Sequence, residues 1–295
     1  MLETRTQYCE RSIFIVGVGL IGGSIAAAVR QRFPDCKVIG IGRSPDRLRQ
    51  AQEMGLLTSW SADISRMIVP KGSLAIVCLP VHHIADAVRQ LLKAGCEVVT
   101  DAGSVKATVY DALDNDPDHR FVGSHPIAGS EHSGFEYADP DLFVNRLCVV
   151  TTTSPEDAAD VNVQRVIAFW KSLGSSVYLM SPDEHDRVLA LTSHLPHILS
   201  SVTAACVDAE LLTFTGTGYR DTTRIASGSG SLWASILMNN AKHCIDSIRA
   251  AEIHLREFRE ALSTGNSKAL EAIWESAATR RRLLHRQQPG QNGED

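Results

Sequence analysis

Between Ser12 and about Met180 the chain repeats one rhythm, a short apolar run rich in β-branched residues followed by a longer stretch of helical character. The runs are SIFIV, KVIGI, SLAIVCL, CEVVT, RFVG, LCVVTT and SVYLM. Near-continuous apolar strands alternating with helices predict a mainly parallel sheet covered on both faces. After Ser181-Pro182 the rhythm stops. The segments 183–207 and 232–286 have helical patterning, with no convincing strand between them. Proline followed by Asp183 and Glu184 suits the first turn of a helix, so the domain boundary is placed there. The expected fold class is α/β: an N-terminal Rossmann-like dinucleotide-binding domain over residues 1–181, then an all-helical domain over 182–286. The tail 287–295, QQPGQNGED, has no residue suited to anchoring and is expected to be disordered.

Composition narrows the class. Hydrophobic residues make up 44% of the 295 and charged residues 21%, as in an ordinary globular protein. The formal charge of -5 and the lack of a long basic run argue against a nucleic-acid partner. Arg280-Arg281-Arg282 sits in helical surroundings and is read as a solvated helix end. No apolar stretch approaches the roughly 20 residues that span a bilayer, which predicts no membrane partner and a cytoplasmic protein. Seven cysteines without CxxC spacing, of which Cys78, Cys96 and Cys148 lie in apolar runs, read as small core residues of a reducing compartment.

The first chemical signal is the segment from Phe14 to Ser24, FIVGVGLIGGS, which places GxGxxG between a strand and a helix. Gly17 would permit the tight turn, Gly19 would let the backbone approach a pyrophosphate, and Gly22 would allow close helix-sheet packing. Leu20 and Ile21 open the helix whose N-terminus holds the anion. The second strand ends in Ile41-Gly42-Arg43-Ser44 rather than in a carboxylate. A carboxylate would repel a 2'-phosphate, whereas Arg43 and Ser44, helped by Arg47, would bind one. The cofactor is therefore NAD(P), with NADP favoured over NAD.

Two polar clusters follow later strands: Asp101-Ala102-Gly103-Ser104-Val105-Lys106, and Gly123 through Glu131, GSHPIAGSE. Two more fall in the helical half, Ser193-His194-Leu195-Pro196-His197 and Gly218 through Ala226, GYRDTTRIA. With the glycine loop, these five ordered segments resemble the prephenate/arogenate dehydrogenase family of tyrosine biosynthesis, from about Ser12 to Arg286. The resemblance implies oxidative decarboxylation of prephenate to 4-hydroxyphenylpyruvate, or of arogenate to tyrosine, with reduction of NAD(P).

It also implies roles for particular residues. His125 becomes the acceptor of the ring hydroxyl proton, a task suited to a neutral imidazole. Ser104 hydrogen-bonds that histidine or the substrate hydroxyl, and Arg224 binds substrate carboxylate. Glu131 and Asp221 match acidic positions of the motifs and would form a charged gate with nearby arginines; the bland alternative is a pair of solvated carboxylates. His197 would donate to the keto acid and favour prephenate over arogenate; the bland alternative is a helix-packing histidine. His194 and His197 share a helix face, but no HExxH or cysteine ligand accompanies them, so no metal is expected. The pair His82-His83 receives no role. In relatives the helical half makes a homodimer. Ile236, Leu237, Ile245, Ile248, Ile253, Leu255 and Phe258 exceed one narrow stripe, as burial against both a core and a second copy requires. Two alternatives stay open: a β-hydroxyacid or imine dehydrogenase, and a non-catalytic nicotinamide sensor.

Overall fold

The computed structural model describes residues 10–67, 69–113, 120–129 and 132–287. Six strands form the first sheet: β1 (Ser12–Val16), β2 (Lys37–Ile41), β3 (Ser59–Ser61), β4 (Leu74–Val77), β5 (Val98–Asp101) and β6 (Phe121–Val122). They are all parallel, in the order β3-β2-β1-β4-β5-β6. The reversal of strand order between β1 and β4 opens a crevice at their carboxyl ends, where nucleotides bind in such sheets. Alternate residues feed two cores. Ile13, Ile15 and Ile76 face one side, while Phe14, Val16 and Val77 face the other. That is why the strands read as unbroken apolar runs rather than as alternation.

The single sheet expected from the sequence is in fact two. β7 (Ser124–Pro126), β8 (Leu147–Thr151) and β9 (Ser176–Met180) form a separate three-stranded sheet, with β7 antiparallel to β8 and β8 parallel to β9. The chain passes from one sheet to the other at Gly123, where a Cβ would come within 2.6 Å of Thr151 Oγ1. β3 was not anticipated because Ser-Trp-Ser is short and polar and lies at a sheet edge.

Helices α1 (Leu20–Arg32), α2 (Pro45–Glu53), α3 (Ile84–Lys93), α4 (Ala107–Leu113) and α5 (Val161–Ser172) connect the strands. Ser181 Oγ then accepts the Glu184 amide at 3.2 Å and caps α6 (Pro182–Leu189), with Pro182 in the first turn as the sequence suggested. A π-helical turn, Ala190–His194, leads without a break into α7 (Leu195–Ala205), followed by α8 (Thr217–Thr223) and α9 (Gly230–Asn239). The run Pro182–Ala205 is, by length and composition, able to cross a membrane, contrary to the reading that no stretch reaches that size. Within it, Asp186 is buried and bonded to main-chain amides of Lys106 and Ala107, which packs the α6 part of the run on the α/β layer.

By Cα proximity the chain divides into residues 1–241 and 242–295. The second unit consists essentially of α10 (Ala241–Ser263) and α11 (Ser267–Gln287), turned at Gly265 with φ 62°. Phe258 and Trp274 meet edge to face across this hairpin at 6.5 Å. Ile253, Leu255, Leu262 and Trp274 stay largely exposed. Arg280, Arg281 and Arg282 lie on exposed turns of α11, as a solvated face would. The expected disordered tail falls almost entirely on 288–295, outside the described residues.

Candidate active site

The glycine loop takes the shape its spacing demands. Gly17 has φ +91°, a conformation costly for other residues, and a Cβ there would lie 2.4 Å from Cys78 O. Gly22 faces Gly17 O, which a Cβ would approach to 2.2 Å, whereas Gly19 has nothing within 4 Å. A cleft of about 820 Å³ opens beside this loop, lined by Gly17, Val18, Gly19, Arg43, Ser44 and Arg47, among others. Leu20, Ile21 and Gly22 form the first turn of α1, behind that lining. The N-terminus of α1 and a loop stripped of Cβ atoms suit a pyrophosphate. His83, for which no role was expected, is part of the cleft wall, as are Asp63 and Asp86.

Arg43 is exposed at the cleft and free to meet an anion. Ser44 is partly committed, since its Oγ caps α2 by accepting the Arg47 amide at 3.5 Å. Arg47 is more so: its guanidinium lies 4.7 Å from the centre of the Phe135 ring and pairs with Glu136 at 3.0 Å.

His125 sits in β7, inside the second sheet rather than at the end of a strand of the first. Its Nδ1 is 2.9 Å from His185 Nε2, and His185 Nδ1 is 2.7 Å from Asp186 Oδ1. Asp186 in turn accepts the Lys106 amide at 2.8 Å and the Ala107 amide at 2.9 Å. These contacts fix the tautomers in sequence. A carboxylate oxygen only accepts, so His185 Nδ1 carries hydrogen and its Nε2 is a lone pair. His125 must then donate from Nδ1. Its remaining nitrogen, Nε2, is left as the free base. Burial, followed by the neighbouring His185, Lys106 and His194, holds the His125 imidazole well below the ordinary histidine range. His185 is lowered as well, by burial first, against the raising effect of its bond to Asp186.

Other candidates fall into place unequally. Ser104 lies half-buried in the β5–α4 loop. Among the described residues no hydrogen bond joins it to His125, whose Nδ1 is already engaged by His185. His197 Nδ1 is 2.8 Å from Ser193 O, one turn back in the helix, so that nitrogen carries a hydrogen and Nε2 is the ring nitrogen left to face a ligand. The His197 ring also packs on Trp233 of α9 at 3.8 Å. Ser235 of the same helix meets His82 Nδ1 at 3.3 Å, which brings α9 against the wall that His83 helps to form. Arg224 and Asp221 are exposed, and among the described residues neither forms an ion pair. Glu131, the other carboxylate of the expected gate, lies outside the described residues. Among the described residues no group of three or more metal-ligating side chains gathers.

Sequence reading missed His185 and Asp186 and left Lys106 unassigned. Adjacent His-Asp in the first turns of a helix was the available signal, but nothing in one sequence says that this helix packs behind His125.

Comparison with known proteins accounts for both halves of the chain. Residues 25–179 match the prephenate dehydrogenase nucleotide-binding domain, and residues 181–276 match the prephenate dehydrogenase dimerization domain. The chain belongs to the prephenate dehydrogenase family. It is 34% identical over 246 residues to a prephenate dehydrogenase of Bacillus subtilis, covering 80% of this chain and 66% of that longer relative. It is 31% identical to a cyclohexadienyl dehydrogenase of Zymomonas mobilis, covering 86% of this chain and 89% of the other. The structure of a prephenate dehydrogenase from A. aeolicus, solved with hydroxyphenyl propionate and NAD+, superposes with TM-score 0.84 at 28% identity. That match covers 93% of this chain and 99% of the other.

Proposed function

We propose that this chain oxidises and decarboxylates prephenate to 4-hydroxyphenylpyruvate, with a nicotinamide dinucleotide held in the cleft at Gly17 and Gly19. The observation that carries this reading is the Asp186-His185-His125 chain, which leaves one imidazole nitrogen as an unprotonated acceptor. His125 Nε2 takes the proton of the ring hydroxyl. The bound nicotinamide supplies a hydride acceptor for the carbon that bears that hydroxyl. The positive charge gained by His125 is shared with His185 and compensated by Asp186, so the relay favours the proton-accepting step. The ketone so formed is a vinylogous β-keto acid. Loss of carbon dioxide sends its electron pair to the ring oxygen, and His125 returns the proton to the resulting phenolate. Ser104 orients the substrate hydroxyl, Arg224 binds carboxylate, and Asp221 and Glu131 act at the entrance. The family match and the cofactor-shaped loop favour this reading over a β-hydroxyacid dehydrogenase or a non-catalytic sensor.

His197 favours a second substrate. A neutral ring bonded at Nδ1 presents an acceptor, which suits the ammonium group of arogenate; only an imidazolium would donate to the keto acid. The Zymomonas relative is named for cyclohexadienyl substrates. The chain is accordingly proposed to use both compounds.

NADP use is supported by Arg43 at the cleft and by the absence of a carboxylate closing β2. Exposed apolar residues of α10 and α11, with the dimerization-domain match, support a homodimer. The switch from β9 to α6 at Ser181 supports a domain division there. One experiment tests the reading: prephenate and arogenate, each with NAD+ and NADP+, followed by the absorbance of reduced nicotinamide. No reduction in any of the four mixtures refutes it. Faster reduction of NAD+ than of NADP+ refutes the cofactor preference alone.

A further inference from the structure

Lys106 and Asp101 are both fully buried, and Lys106 Nζ is bonded to Asp101 Oδ2. Stability gives no reason for charge here, because replacing a buried ion pair by neutral side chains of similar volume is often neutral or stabilising. What ions provide and apolar residues do not is directed hydrogen bonding. Asp101 Oδ2 accepts the Gly103 amide at 2.9 Å, and the remaining bonds of the pair converge on one residue, Ser124.

β7 is an edge strand, and its ladder to β8 uses alternate residues, as in Thr151 N to Gly123 O at 2.9 Å and Ile127 N to Leu147 O at 2.7 Å. Ser124 lies between these and turns its amide and carbonyl the other way, into the protein, where unpaired backbone groups are costly. Asp101 Oδ1 accepts the Ser124 amide at 3.0 Å, and Lys106 Nζ donates to the Ser124 carbonyl at 2.8 Å. The two side chains thus stand in for a missing strand. Ser124 Oγ is held as well, by Trp170 Nε1 at 2.8 Å and against Thr100 Oγ1 at 2.8 Å. The next residue is His125.

Lys106 also reaches the other partner of the catalytic pair. Its main-chain amide donates to Asp186 Oδ1, the oxygen that faces His185 Nδ1. One residue therefore grips the backbone beside His125 with its side chain and the carboxylate behind His185 with its backbone. We propose that Lys106, paired with Asp101, is a positioning residue that sets the approach of His125 to His185. This rests on the reading of His125 as the proton acceptor. The Lys106 charge has a second consequence. His125 is faced by burial, His185 of α6, Lys106 and His194 of the π turn, all disfavouring its protonated form. His185 is faced by Asp186, Asp101 and Lys106. Removing the cation makes protonation of His125 easier.

The test is the double variant Asp101→Asn/Lys106→Met, which removes both charges while keeping the volume. The expected result is a folded protein with parental cofactor affinity and at least tenfold lower turnover. The acid limb of kcat/KM moves to higher pH, and the His125 titration followed by 15N-histidine NMR moves with it. A through-space charge effect alone would move the titrations and leave turnover within about twofold of the parent, and that result overturns the proposal. A folded double variant with parental turnover and an unmoved titration overturns the proposal. So does a double variant that fails to fold, since that assigns the pair to stability. If the parent reduces no cofactor with either substrate, the functional reading fails, and the 15N shifts of His125 Nδ1 and His185 Nε2, which report their bond, still decide the role of Lys106: unchanged shifts in the double variant overturn it.

Discussion

His185 Nε2 stands 2.9 Å from His125 Nδ1, and because His185 is itself bonded to Asp186, this contact decides which nitrogen of His125 is free to accept a proton. The direction of the chain matters more than its length. It runs from a carboxylate that only accepts to an imidazole that must keep one lone pair.

His125→Asn is expected to lower turnover by at least the roughly 10²-fold typical of a lost general base, with cofactor affinity within about twofold of the parent. Asp186→Asn should lose a comparable factor, because the anchor of both tautomers is weakened. Residues acting as a unit are not additive, so the double variant should be little slower than His125→Asn alone. Steady-state rates for the three variants, with cofactor titrations, check this. Multiplying losses would show that Asp186 does not act through His125.

The buried histidines make a statement about pH. His125, His185 and His194 are all lowered by burial, His194 to about 4. Below the unfolded value of about 6.5 the unfolded chain binds more protons than the folded one, so stability is full above that pH and is lost as pH falls towards the folded values. For His194 alone the window runs from about 6.5 down to about 4. Melting temperature should decline through this range, and the acid limb of kcat/KM should lie below that of a free imidazole. A limb centred on 6.5 or higher would contradict the burial of His125.

Arg224 is exposed at the junction of α8 and the turn that follows it, with no ion-pair partner among the described residues. Arg224→Ala should raise the KM for substrate by tenfold or more while lowering kcat less, the pattern of lost ground-state binding. Superimposable saturation curves for parent and variant would remove Arg224 from the site.

Two glycines of the same loop should fail differently. Gly22→Ala brings a methyl group to 2.2 Å from Gly17 O, so the loop and α1 must separate, at about 1–3 kcal/mol. Gly19→Ala meets no protein atom within 4 Å; it should keep the parental melting temperature and lose cofactor affinity. Thermal melts and cofactor titrations separate the two, and equal losses of stability would show that the space beside Gly19 is not reserved for a ligand.

The strand-helix rhythm and the glycine loop were legible because each is local: period, turn residues and spacing lie within one βαβ unit. The second sheet was not, since SHP in β7 looks like a loop motif, and its pairing with β8 depends on residues more than 20 positions away. Likewise His125 could be singled out by its motif, but its orienting partner could not. His185 stands 60 residues on, in a helix whose sequence advertises only its own cap. Single-residue polarity was the least legible of all. Which nitrogen of His197 can face a ligand stays open until the Ser193 carbonyl is seen to occupy Nδ1.

The π turn at Ala190–His194 sets a phase. Each residue advances an α-helix by about 100°, and a π turn takes in one residue more than a regular turn, so everything beyond it is rotated relative to α6. His185 and Asp186 precede the turn, whereas His197 follows it and lies against Trp233. A single-residue deletion within 190–194 that restored regular winding would leave the proton relay aimed as before and swing His197 about a quarter turn away from Trp233. With the proposed roles of His125 and His197, the fold stores the angle between proton transfer and substrate recognition in one extra residue, and a change of chain length by one is expected to alter selectivity without touching either group.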